Sequence, residues 1–169
     1  GQVEVETALA TTEIREVETV SLTMRDGVLR ARAGATGSAT AVAVTDADPG
    51  SDVGVSNFEG VVDYELGTVT ILSVPGVRNG GSAAVDPDDL ATLAAKNDVV
   101  AVAGVEAYAA ASTAGVDPEV RFGTVDAVYE AATKGLDVLL VAATGSVSAH
   151  TDRLRDDNVG YEVVDAAEE

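Results

Sequence analysis

The chain has 169 residues, 46% hydrophobic but only 4% aromatic and without Trp, which allows one or two small domains with cores of Val, Ala and Leu and argues against a large aromatic ligand cage. Cysteine is absent and His150 is the one histidine, so disulfides, thiol catalysis and thiolate metal sites are excluded, and no metal or cofactor is expected. With 29 acidic against 10 basic residues the net charge is −19 and the pI near 4.1.

Such a surface repels itself at low salt and suits a medium where the screening length falls to ~3 Å. The composition therefore predicts the cytoplasm of a salt-accumulating halophilic archaeon. Periodic blocks of Val and Ala weigh against disorder. Charge that is explained by habitat leaves DNA contact open, yet no basic stripe argues for it. No apolar run reaches ~18 residues and no signal-peptide pattern is present, so neither a membrane partner nor export is expected. The first residue is Gly1, which predicts a tag remnant or a domain cut from a longer protein.

Residues 1–15 are polar with mixed periodicity and are expected to be a linker or edge segment. From Glu16 the pattern alternates: Val20, Leu22 and Met24 share one face, "RDG" turns the chain, and Val28 to Ala33 continues. A second pair of alternating runs flanks Asp46-Ala47-Asp48-Pro49-Gly50, and "GVVDYELGTVTILSV" reads as two strands meeting at Gly67. Residues 16–67 are thus expected to form a small antiparallel β-unit, or a small barrel.

Residues 68–169 follow a different grammar. Strand "TVTILSV" precedes helix 87–96, strand "DVVAVAG", helix 105–114, a short strand "EVRFG", helix 125–134, strand "LDVLLVAATG", helix 147–158 and strand "YEVVD". Near-continuous apolar strands imply a parallel sheet covered on both faces. Asp86, Thr124 and Ser146 are expected as N-caps, with Gly115 and Gly135 just past C-termini. The expected fold class is α/β: a small antiparallel β-unit followed by a Rossmann-like or flavodoxin-like parallel sheet of five strands flanked by helices.

In such a sheet a ligand sits outside the carboxyl ends of the strands. The candidate ligand-binding residues are therefore Arg78, Asn79, Gly80, Gly81 and Ser82 in the glycine-rich loop "SVPGVRNGGS", Gly104 and Glu106, Gly123 and Thr124, and Gly145 and Ser146. Small residues let helix N-termini approach an anion. Arg78 is a lone cation that either pairs with a phosphate or carboxylate of a ligand or finds a neighbouring acid. The loop matches no nucleotide-binding signature.

Glu106 is an acid/base candidate or a helix-dipole complement, and Arg121 reaches a crevice or marks an edge strand. His150, at helical spacing from Val147 and Leu154, reads as packing; no catalytic triad is supported. Asp46, Asp48 and Asp52 read as a solvated turn, because Ser51 and Asn57 stand where a calcium loop needs Gly and Glu. Arg25, Arg30 and Arg32 read as neutralising nearby acids more than as a nucleic-acid surface.

The stretches "SNFEGVVDYELGTVTILSVPGVRNGGS" (56–82) and "AVAGVEAYAAASTAGVDPEVRFGTVDAVYEAATKGLDVLLV" (101–141) resemble the C-terminal part of predicted archaeal transcriptional regulators, in which a winged helix precedes a domain of unassigned ligand. This chain has no helix-turn-helix, so DNA contact is expected only through a separate or missing N-terminal domain. Together the residues and the resemblance predict a cytoplasmic, homodimeric effector domain that senses a small anionic metabolite. The rival expectations are an enzyme acting on a phosphorylated or carboxylated small molecule through Glu106 or His150, and a pure interaction domain.

Overall fold

The computed structural model describes residues 4–166, which divide into two compact units between Glu65 and Leu66. The first holds β1 (Glu6–Ala10), β2 (Thr19–Arg25), β3 (Val28–Ala33), β4 (Ala39–Ala43), β5 (Asp52–Gly60) and the two-residue β6 (Asp63–Tyr64). Strand order β3-β1-β5-β4-β2, with β2 also bonded to β3, closes five strands into a barrel; β6 adds to β2. Every barrel contact is antiparallel except β1 with β3, where Leu9 lies beside Arg30.

Within the expected linker or edge segment 1–15, of which 1–3 lie outside the described residues, Glu6–Ala10 is instead the strand that shuts the barrel. A five-stranded barrel has room inside only for small side chains, and its core is mostly alanine: Ala8, Ala10, Ala31, Ala39, Ala41 and Ala43 around Ile14, Val20, Leu22, Val53 and Val55. Buried Ser21 pins one end, its Oγ donating to the Gly34 carbonyl at 2.6 Å and accepting the Thr36 and Gly37 amides.

The second unit contains β7 (Val69–Val74), α1 (Pro87–Ala95), β8 (Val99–Ala103), α2 (Val105–Thr113), α3 (Thr124–Thr133), β9 (Val138–Ala143), α4 (Val147–Asp156) and β10 (Tyr161–Asp165). All four strands are parallel, in the order β10-β7-β9-β8. Leu72, Val74, Leu139 and Val141 pack on one face with residues of α1 and α2. Val69, Ile71, Val138, Leu140 and Ala142 pack on the other with α3 and α4.

The Rossmann-like or flavodoxin-like expectation is overturned on two counts. The chain passes from β7 over the position later taken by β9, so β7 never touches β8 and the order is not that of a doubly wound half. The expected strand at 119–123 contributes a single bridge, Val120 beside Ala101, because Pro118 and Gly123 bracket too short a run to form a ladder. The unit expected to be antiparallel is a closed barrel with one parallel pair, β1 with β3. No helix among the described residues is long and apolar enough to cross a membrane.

Candidate functional site at the carboxyl ends of the parallel strands

Adjacent strands β7 and β9 end together, Val74 beside Ala143, and the loops that follow rise side by side. Ser73 Oγ and Thr144 Oγ1 lie 3.0 Å apart, and Thr144 Oγ1 donates to the Val74 carbonyl at 3.0 Å, which ties the two loop bases. The Gly104 turn after β8 leans onto the same place: a Cβ on Gly104 would sit 2.7 Å from the Ala143 side chain. Three of the four expected loops, 75–82, 104–106 and 144–146, are thus brought together.

The loop after β7 forms two short 3-10 turns, Val77–Asn79 and Gly81–Ala84. Its amides close on the loop itself: Asn79 and Gly81 donate to the Gly76 carbonyl and Gly80 to that of Val77. The amides of Asn79, Gly80 and Gly81, all expected as ligand-binding residues, are therefore spent internally, and Gly81 is buried. Arg78 is exposed, and among the described residues it is the one arginine with neither an ion pair nor a hydrogen bond. In a chain with 29 acids, that separation singles it out. Ser82 is half-buried, and Gly145 faces open space.

Helix α2 begins at Gly104 without a side-chain cap, so its first amides have no partner within the helix and carry its positive end toward the loops. Half-buried Glu106 stands in that first turn. Helix α1 is different: Asp86 accepts from the Asp88 and Asp89 amides, as expected, and closes that end to anions.

Of the other two expected caps, Thr124 is corrected and Ser146 holds the N-cap position of α4 without a side-chain bond. Gly123 holds the N-cap position of α3 with φ 58°, and Thr124 turns its hydroxyl to His150 Nε2 at 2.8 Å. Ser146 makes no side-chain cap; its carbonyl takes His150 Nδ1 at 2.7 Å. His150 is 3% exposed, so its ring is a buried strut and the enzymatic reading is left with Glu106 alone. Nearby Arg153 stacks 3.6 Å above the Tyr129 ring and pairs with Asp157 and Asp126. Its pKa is raised: desolvation lowers it, but the hydrogen bond and charge of Asp157, with Tyr129, outweigh that.

Sequence reasoning missed an apolar hollow of about 350 Å³ beside this cluster, formed by Val102, Gly104, Val105, Tyr108, Arg121 and Phe122. Phe122 is 90% exposed and Val105 79%. A phenylalanine next to glycine, in a chain that has only two, was the available signal. Arg121 lies over Tyr108 at 5.2 Å and pairs with Asp117, outside any strand. In the barrel, Asp46 accepts the Glu16 amide, Arg25 and Arg30 pair with acids, and Arg32 donates to Thr36. Among the described residues no group of three or more His, Asp or Glu is placed to hold a metal.

Residues 63–163 match the model of a family described as a domain of unknown function, DUF7839, and the chain belongs to that family. It is also similar to "Uncharacterized protein MJ0558" of Methanocaldococcus jannaschii, 29% identical over 164 residues. That match covers 96% of this chain but 63% of the relative, so the chain spans less than two thirds of the relative's length. No solved structure matches.

Proposed function

We propose that this protein is a ligand-sensing module that binds a small anionic metabolite where the loops after β7, β8 and β9 converge, and that it serves as the effector part of an archaeal transcription regulator. The observation that carries the ligand reading is Arg78, an exposed guanidinium that pairs with no acid among the described residues, in a chain that pairs most of its other arginines. An unpaired cation on one of these loops, and the uncapped end of α2 at another, each favour a phosphate or carboxylate. The regulator reading leans on the resemblance and on the archaeal relative, more than a third of which lies outside the match and has room for a separate DNA-binding domain.

A thermal-shift screen of sugar phosphates, nucleotides, amino acids and organic acids in molar KCl tests it. A ligand at ~100 times its Kd stabilises by ~2.7 kcal/mol. One compound should raise the melting point of the wild type and leave Arg78→Ala unmoved. Equal shifts in both proteins would remove Arg78 from the site, and no shift in either would remove the sensing role.

A further inference from the structure

We propose that β10 is the docking edge for a second copy of this chain, and that the two β10 strands pair antiparallel about a two-fold axis at Val163. The two edges of the parallel sheet are finished differently. Outside β8 the chain seals its own edge: Val102 donates to the Val120 carbonyl at 3.0 Å, Glu119 to that of Val100 at 2.9 Å, and the Glu119 carboxylate accepts the Val100 amide at 2.7 Å. On the other edge, β10 has no strand beyond it among the described residues.

The backbone there is set for pairing. Gly160 accepts from Val69 and Ala166 donates to Ser73, both at 3.0 Å, so the even-numbered residues of β10 turn their amides and carbonyls toward β7. Tyr161 and Val163 then turn theirs outward, as alternation along a parallel strand requires. Exposed edges are ordinarily blunted by proline, lysine or a bulge. The strand YEVVD has no proline, lysine or bulge; its charges are Glu162 and Asp165, which flank Val163, 44% exposed at its centre.

The sequence is also complementary to itself in this register. Val163 lies opposite Val163 of the other copy, Glu162 opposite Val164 and Tyr161 opposite Asp165. No acid faces an acid directly, in a chain where that is hard to arrange. Tyr161, Val163 and Asp165 share one face of the sheet, so Val163 meets Val163 on the axis, with Tyr161 on one diagonal and Asp165 on the other. The result is a continuous eight-stranded sheet with the isologous contact of a closed dimer.

Each copy carries a charge of −19, and Asp86, Asp89 and Asp165 line a groove of about 430 Å³ beside Val164. Pairing is therefore salt-dependent, strengthening as the screening length falls from ~10 Å at 0.1 M to ~3 Å at 1 M salt.

Light scattering of the purified chain across a KCl series tests the proposal. The wild type should reach twice its 17.0 kDa mass in molar KCl. Val163→Lys, which sets two like charges on the axis, should stay at the single-chain mass with an unchanged circular dichroism spectrum. The cysteine-free background supplies a second variant: Val163→Cys puts one thiol per chain at the axis, with Cα atoms ~5.5 Å apart and so within disulfide reach. Under oxidised glutathione it should crosslink far faster than Val61→Cys, at a valine that is 80% exposed elsewhere. The proposal is overturned by a wild type that remains at the single-chain mass at every salt concentration, as an edge reserved for a different protein would give. It is equally overturned by a dimer that survives Val163→Lys, or by Val163→Cys crosslinking no faster than Val61→Cys. If Val163→Lys does not fold, the cysteine comparison decides.

Discussion

Thr124 Oγ1 and His150 Nε2, 2.8 Å apart and buried, bolt the first turn of α3 to the middle of α4. The direction of the bond follows from the other side of the ring. His150 Nδ1 faces the Ser146 carbonyl, which can only accept, so Nδ1 carries a proton, and in the neutral ring Nε2 receives the Thr124 hydroxyl.

Thr124→Val keeps the shape of the side chain and removes the donor, leaving a buried ring nitrogen unpaired. Urea unfolding should show a loss of about 1–3 kcal/mol. Thr124→Ser, which retains the hydroxyl, should lose less than half of that. Equal losses in the two variants would assign the effect to the methyl group instead.

Gly104 has φ 95° and ψ 157°, a region that is essentially glycine's own, and it lies against Ala143. Gly104→Ala should cost at least about 1–3 kcal/mol from the backbone conformation alone and lower the melting temperature accordingly. Gly145→Ala, at an open position with no positive φ, should stay within about 0.5 kcal/mol of wild type.

Asp86 accepts two amides at the start of α1, at 2.8 and 3.3 Å. Asp86→Ala should destabilise by about 1 kcal/mol, and Asp86→Asn by much less, since an amide oxygen also caps. Chemical denaturation of the three proteins side by side measures the difference.

The charge of −19 makes folding itself sensitive to salt. Self-repulsion across an acidic surface weakens as the screening length shortens from ~10 Å at 0.1 M to ~3 Å at 1 M. The melting temperature should rise through a KCl series, and a flat or falling curve would show that these acids are already neutralised by their neighbours.

Much of the local structure was legible. The runs VVAVA and VLLVAA are buried strands, Asp86 caps α1, and Gly115 and Gly135 follow helix ends with φ of 70° and 90°. Pairing order was not legible, because no local pattern says that β7 takes β9 and β10 as neighbours and leaves β8 at the rim. The strand β1 hid behind its composition: ETALA has two outward polar residues, and the alanines that fill a narrow barrel look weakly hydrophobic in sequence. Thr124 and Ser146 looked like caps because hydroxyls before helices usually are. For Thr124, what displaced that role was His150, 26 residues away, a separation at which sequence spacing carries no information.

At the site, the convergence of three loops was anticipated from strand direction alone. That Arg78 pairs with no acid among the described residues was not, since it depends on where those acids end up. The hollow around Phe122 went unseen because it exists only once Val120 is bridged to β8 and Tyr108 is turned over Arg121.

The position of β7 also fixes the order in which the second unit can be completed. As the chain leaves the ribosome, β7 is the first of its strands to appear, yet Val69 meets its partners only when Val138 and Tyr161 arrive. Until then, both of its edges are open, and the intervening β8 offers neither of them a partner. Such long-range parallel pairing folds slowly and exposes unpaired strands meanwhile. A newly made chain stopped before β9 would hold a barrel with all its strands, followed in sequence by a strand that has nothing to pair with, so the residues from Val138 onward decide whether the rest stays dispersed.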